Sequence, residues 1–150
     1  MRDVLIVRDP RESTRKCSLT PLRGRAGIEL RAYDRERRVP GGGRVLLHPE
    51  GAELGPADRG RPLLLLDCAW RRVPALLATI DEPYELRRLP PLVTAYPRKS
   101  STFADPAEGL ASVEALYAAC RMLGHDAADL LDGYRWSEPF RRANPLLSAR

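Results

Sequence analysis

A chain of 150 residues suits one compact domain, or two small lobes sharing an interface, and is too short for a large barrel or a two-domain dehydrogenase. With 43% apolar and 30% charged residues it can bury a core and does not read as disordered, and its 6% aromatic content leaves that core to aliphatic side chains. The formal charge of +5 is carried by residues 1–40, which hold 11 Arg/Lys against 6 Asp/Glu, while residues 41–150 hold 14 of each.

The elements follow in chain order. Residues 4–7 form a short apolar run that ends at Arg8-Asp9-Pro10 and predicts a first strand and turn. Residues 11–25 are basic and polar, as a loop is. Residues 28–33 alternate apolar and charged side chains, the pattern of a half-buried strand. Gly41-Gly42-Gly43 would suit a phosphate cradle only between a strand and a helix. A strand follows instead, at 44–47, so the tract is read as a hairpin connection. The four leucines 63–66 suit a central strand covered on both faces. Residues 71–80 then predict a helix with Pro74 near its first turn.

Residues 92–95 read as a second buried strand, entered through Pro90-Pro91 and left through Pro97, with a polar loop from 98 to 109. The clearest helix is 112–123. Val113, Leu116, Tyr117, Cys120 and Leu123 fall on one face, Ser112 can cap its start and Gly124 ends it. A further helix is expected at 126–132, stopping at Gly133, and a last amphipathic segment carries Tyr134, Trp136, Phe140 and Leu146. Strands with interspersed helices make the class α/β.

No apolar run approaches the roughly 20 residues of a membrane span. Charges within the apolar start argue against a signal peptide. Cys17, Cys68 and Cys120 are odd in number and widely spaced. That disfavours a disulfide scaffold or a zinc site and fits a reduced cytoplasm, so a cytoplasmic protein is expected. Arg outnumbers Lys by 23 to 2, which a GC-rich genome or a phosphate-facing patch would each produce.

In open α/β sheets ligands sit outside the carboxyl ends of the strands, which directs attention to Asp67. Asp67 is read either as a helix N-cap or as an acid facing a ligand, and Trp70 either as a core aromatic or as a stacking surface. Together they could hold a cationic ligand with a flat base. The start of the helix at 112 offers free N–H groups that suit a ligand carboxylate, or is an ordinary loop–helix junction. His48 and His125 are far apart without a Ser or Cys partner and read as structural or exposed.

Six segments in order resemble the small-subunit rRNA aminocarboxypropyltransferase family. They are KCSLTPL (16–22), VLLHPEGAELGPADR (45–59), LLLLDCAW (63–70), RLPPLVTAYP (88–97), LASVEAL (110–116) and YRWSEPFRRANPLL (134–147). The resemblance implies an N-terminal α/β lobe, 1–88, and a C-terminal lobe, 89–150, related to the trefoil-knotted SPOUT methyltransferases, with S-adenosyl-L-methionine bound between them.

Leu47, Pro49, Trp70, Leu89, Leu110 and Ala115 would pack on the adenine. The backbone of Leu89 and of the loop near Glu108 would read the adenine edge, and the Leu66 carbonyl would hold the ribose. Ser18, Asp67 and Ser112 would hold the amino acid end. The chain departs from the family's pattern at Ser18, Ala69 and Tyr96, and carries a longer loop, RKSSTFADPAEG.

The implied reaction moves the 3-amino-3-carboxypropyl group to a uridine-type base of RNA, with Asp67 orienting the cofactor's ammonium or assisting proton removal. Arg11, Arg15, Lys16, Arg23 and Arg25 would meet RNA phosphates, and a monomer is expected. A DTW-type transferase acting on tRNA and a non-catalytic RNA-binding assembly factor are the alternatives.

Overall fold

The computed structural model describes residues 2–11, 19–95 and 110–148. Seven strands and three α-helices follow one another in these residues. They are β1 (Val4–Arg8), β2 (Ile28–Ala32), β3 (Val39–Pro40), β4 (Arg44–Glu53), β5 (Leu63–Asp67), α1 (Val73–Leu77), β6 (Ile80–Asp81), β7 (Tyr84–Arg88), α2 (Ser112–Leu123) and α3 (Ser137–Ala143). Five strands form one sheet in the order β2-β1-β5-β4-β7, and every neighbouring pair is parallel. The fold is α/β with a parallel sheet, as the strand–helix order implied.

The leucine run lies at the centre of this sheet. Leu63 and Leu65 point to one face and Leu64 to the other, and all three are buried. One face packs with α2 and with Leu130, Leu131 and Phe140. The other packs with Leu76 of α1, Val39 and Ile80. A parallel strand covered on both sides has no polar face to present, which is why the run is continuous rather than alternating. Residues on both sides of position 88 share the first of these clusters.

Several expectations are corrected. Gly41–Gly43 is no hairpin, because β3 pairs in parallel with β6 in a separate small sheet while β4 joins the main one. A Cβ at Gly41 would strike the carbonyls of Asp81 and Pro83, and Gly42 and Gly43 adopt φ of +62° and +72°. The tract is therefore a close passage between two sheets. The helix expected over 71–80 is a 3-10 turn, Trp70–Arg72, followed by α1, and Ile80 already belongs to β6.

Residues 92–95 form no strand, and Val93 is 58% exposed. The fifth strand is β7, whose sequence YELRR gave no strong apolar signal because it is a half-buried edge. Residues 126–132 form turns rather than a helix. In the last segment Phe140 and Leu147 are buried, and Leu146 is 82% exposed.

Helix α2 has the bounds its periodicity predicts and closes on Gly124 at φ +79°. Its start differs from expectation. Ala111 is the N-cap, and the Glu114 carboxylate accepts the Ala111 amide at 2.9 Å. Ser112 is thus freed from capping, and its hydroxyl points elsewhere.

Candidate functional site

One cavity of about 380 Å³ opens at the carboxyl ends of β4 and β5, within the size range of small-molecule sites. Three stretches of chain build its walls. The first is the end of β4. Leu47 pairs with Arg87, and so does Ala52, which leaves residues 48–51 looped out of the ladder. The sequence explains the bulge. Pro49 has no amide to donate, and a Cβ at Gly51 would collide with Leu86. The bulge sets His48 and Pro49 at the cavity.

The second wall is the end of β5 and the turn after it, with Leu65, Leu66, Cys68 and Trp70. Trp70 is 42% exposed, so the indole is a surface and not a core aromatic. His48 lies beside it, the ring centroids 5.8 Å apart. The Glu50 amide donates to His48 Nδ1 at 3.1 Å.

The third wall is residues 88–92 with Leu110, Ser112 and Ala115. No strand ladder supports residues 92–95. Two buried side chains do so instead. Asn144 accepts the Val93 amide at 2.8 Å and donates to the Val93 carbonyl at 2.8 Å. Glu114 accepts the Thr94 hydroxyl at 2.6 Å, the Ala95 amide at 3.0 Å and the Tyr134 hydroxyl at 3.0 Å, besides the Ala111 amide. Buried backbone polar groups need partners, and here side chains supply them.

Asp67 ends β5 directly opposite Arg8, the last residue of β1. Both are buried, and Arg8 Nε donates to Asp67 Oδ2 at 3.1 Å. The Ser112 hydroxyl donates to Asp67 Oδ1 at 3.0 Å. Asp67 is not a helix cap; the following turn is capped by Ala69 without a side-chain bond. Ser112 lines the cavity and Asp67 lies behind it, so the acid reaches the space through the hydroxyl. A buried carboxylate that accepts from both an ionic and a hydroxyl partner is held in a fixed orientation.

Residues 45–148 match the family described as "Ribosome biogenesis protein, C-terminal". A 16S rRNA aminocarboxypropyltransferase from Vulcanisaeta distributa is 31% identical over 144 residues, spanning 91% of this chain and 75% of that protein. The chain belongs to the 16S rRNA aminocarboxypropyltransferase family. A solved structure of a relative, the SAM-dependent rRNA:acp-transferase Tsr3 from the same organism, matches at a TM-score of 0.74 and 26% identity. That match covers 99% of this chain and 82% of the other.

Of the positions singled out from the sequence of this aminocarboxypropyltransferase family member, Leu47, Pro49, Leu66, Trp70, Leu89, Leu110, Ser112 and Ala115 line the one cavity. Asp67 stands behind Ser112. Ser18 and Glu108 lie outside the described residues, as do Arg15, Lys16, Cys17, Tyr96 and the whole of the 98–109 loop.

Among the basic positions, Arg11 and Arg23 are exposed, whereas Arg25 donates to Asp129 Oδ2 at 2.8 Å. The Arg2 guanidinium binds the same aspartate, and these contacts hold its carboxyl below the ordinary range despite partial burial. Arg25 is thus committed to the fold. His125 bridges the Arg61 carbonyl, at 2.7 Å, and the Asp3 amide, a structural role. Burial pushes the Cys120 thiol up to about 12, which makes it inert, while Cys68 lines the cavity.

Sequence reasoning missed His48, Arg8 and Glu114. His-Pro-Glu-Gly at 48–51 signals a bulge, and a Glu three residues after a helix start signals a capping box. Nothing local signals Arg8, because its partner is 59 residues away.

Proposed function

We propose that this chain transfers the 3-amino-3-carboxypropyl group from S-adenosyl-L-methionine to a uridine-type base of small-subunit rRNA. The observation that carries the reading is the cavity at the strand ends, where eight positions matched to the family's cofactor contacts meet. Its aliphatic walls, an exposed indole and a carboxylate–hydroxyl pair fit a ligand with a flat base at one end and an amino acid at the other.

The cofactor supplies a sulfonium, and transfer requires its side-chain methylene, not its methyl, to face the acceptor. The chain's part is positioning. Leu47, Pro49, Leu89, Leu110 and Ala115 enclose the base, and Trp70 offers a stacking face. The Leu66 carbonyl binds ribose hydroxyls. Ser112 binds the amino acid end, with Asp67 fixed behind it, and the family resemblance adds Ser18.

Both Asp67 oxygens already accept hydrogen bonds, from Arg8 and Ser112, which supports an orienting role over that of a proton acceptor. The acceptor base must be unpaired or flipped out to reach the opening.

The finer architecture is proposed on the same footing. Residues 1–88 form an α/β lobe and 89–150 a SPOUT-like, knotted lobe, with β7 ending at Arg88. The protein acts as a cytoplasmic monomer and meets RNA phosphates through Arg11, Arg15, Lys16 and Arg23. No described helix is long and apolar enough to cross a membrane.

Calorimetry with S-adenosyl-L-methionine and mass spectrometry of rRNA and tRNA from a deletion strain test the reading together. Cofactor binding with an aminocarboxypropyl adduct missing from small-subunit rRNA is expected. A missing adduct in tRNA would transfer the activity to tRNA. Intact adducts would leave only an RNA-binding assembly factor.

A further inference from the structure

We infer that a second site, an arginine groove at the carboxyl ends of β1 and β2, binds the phosphate backbone of a single RNA strand leading to the reaction cavity. The inference rests on the RNA-directed reading above and adds the path of the substrate. The groove is an open depression of about 750 Å³ lined by Arg11, Arg31, Arg35, Arg37 and Arg72, with Asp9 and Asp34 as its acids among the described residues. It stands over one half of the sheet's carboxyl edge, and the cofactor cavity stands over the other. The two share a single 3-10 turn, since Trp70 lines the cavity and Arg72 lines the groove.

Both acids are already engaged. Buried Asp9 accepts Arg72 Nε at 2.9 Å and the Arg11 amide at 3.1 Å. Burial pushes its carboxyl up, but these hydrogen bonds and the two guanidinium charges outweigh that and hold it below the ordinary value. Asp34 accepts the Glu36 amide at 2.9 Å. Arg72 also stacks over the Tyr33 ring, 5.4 Å from its centroid, so its guanidinium is fixed before any ligand arrives.

The remaining arginines are available for phosphate. Arg37 is exposed and makes no ion pair among the described residues. Arg35 reaches Glu36 only at 3.7 Å, with both side chains solvated. Arg31 binds Glu29 at 2.6 Å. Exposed pairs of this kind contribute little, and a phosphate competes with them readily.

An enclosed pocket would suit one small anion. An open groove with arginines drawn from β2, the loop after it and two other strand ends suits a run of phosphates. Such contacts position the strand without reading its sequence. The charge of residues 1–40 therefore acts largely through Arg31, Arg35 and Arg37, which lie after the segment that the sequence singled out.

The test compares Arg35→Glu/Arg37→Glu with a control pair of exposed arginines, Arg135→Glu/Arg142→Glu, in the full chain. Binding of a fluorescent small-subunit rRNA transcript is measured across a salt series, with S-adenosyl-L-methionine affinity measured in parallel. The groove variant is expected to bind the transcript about tenfold more weakly, with the salt slope reduced by about 1.4 for two lost phosphate contacts. Its cofactor affinity should be unchanged. Unaltered RNA binding, or an equal loss in the control pair, overturns the groove. If RNA binding falls as expected but wild-type protein transfers nothing to rRNA, the groove stands and the proposed reaction fails.

Discussion

Two sides of the cavity at the strand ends are made in different ways. The β4–β5 wall hangs on a parallel ladder, in which Leu65 and Leu66 pair with Ile6 and Val7 and Leu47 pairs with Arg87. The facing wall, residues 89–92, leads into a segment held by two side chains, Asn144 and Glu114, reaching from α2 and the C-terminal segment. Ladder support is spread over many bonds, and losing one costs little elsewhere. Clamp support is concentrated, so one substitution can release a whole wall while the sheet stays formed.

This contrast can be broken by mutation. Glu114→Ala strips partners from four donors and should lower unfolding free energy by about 4 kcal/mol, measured by urea denaturation. Leu64→Ala removes a fully buried side chain from the ladder and should cost about 3 kcal/mol. Its remaining folded protein should bind S-adenosyl-L-methionine normally. Asn144→Ala should cost about 2 kcal/mol yet weaken cofactor binding more than Leu64→Ala does. Calorimetry on folded protein that ranked these two the other way would remove the distinction between ladder and clamp.

Trp70→Ala should change stability by no more than about 0.5 kcal/mol, because the indole is exposed, while cofactor affinity falls about tenfold with the lost stacking.

Acid provides the mildest probe. Hydrogen bonds and guanidinium contacts outweigh burial at Asp9 and Asp58, and the Arg2 contact leads at Asp129. All three carboxyls are thereby held below their ordinary 3.8. A depressed folded value means stability that is complete above 3.8 and lost as pH falls through the lower folded values. Thermal melts should therefore be flat from pH 7 to about pH 4 and decline below it.

The ladder was legible in the sequence and the clamp was not, for a physical reason. Residues 63–66 and 4–7 are apolar because they sit inside a sheet covered on both faces, and composition reports that directly. Residues 92–95 have similar composition, Leu-Val-Thr-Ala, but their backbone partners are side chains 19 to 51 residues away. No local pattern encodes such a partner, so the segment read as a strand. Edge strand β7 failed in the opposite sense, its charged residues masking a true ladder.

Trp70 and the start of α2 came from the rule that ligands sit at strand ends, and the other cavity positions came from ordered resemblance rather than periodicity. Arg8 stayed hidden because a strand-end arginine looks like any surface charge until its register with Asp67 is known.

The most direct test of the central claim uses S-adenosyl-L-methionine labelled in one of two places. Purified protein is incubated with small-subunit rRNA and cofactor carrying label either in the carboxyl of the amino acid side chain or in the methyl group. Label from the carboxyl should enter the RNA, and label from the methyl should not. Methyl label in the RNA, or no incorporation from either cofactor by protein that binds both, would contradict the account.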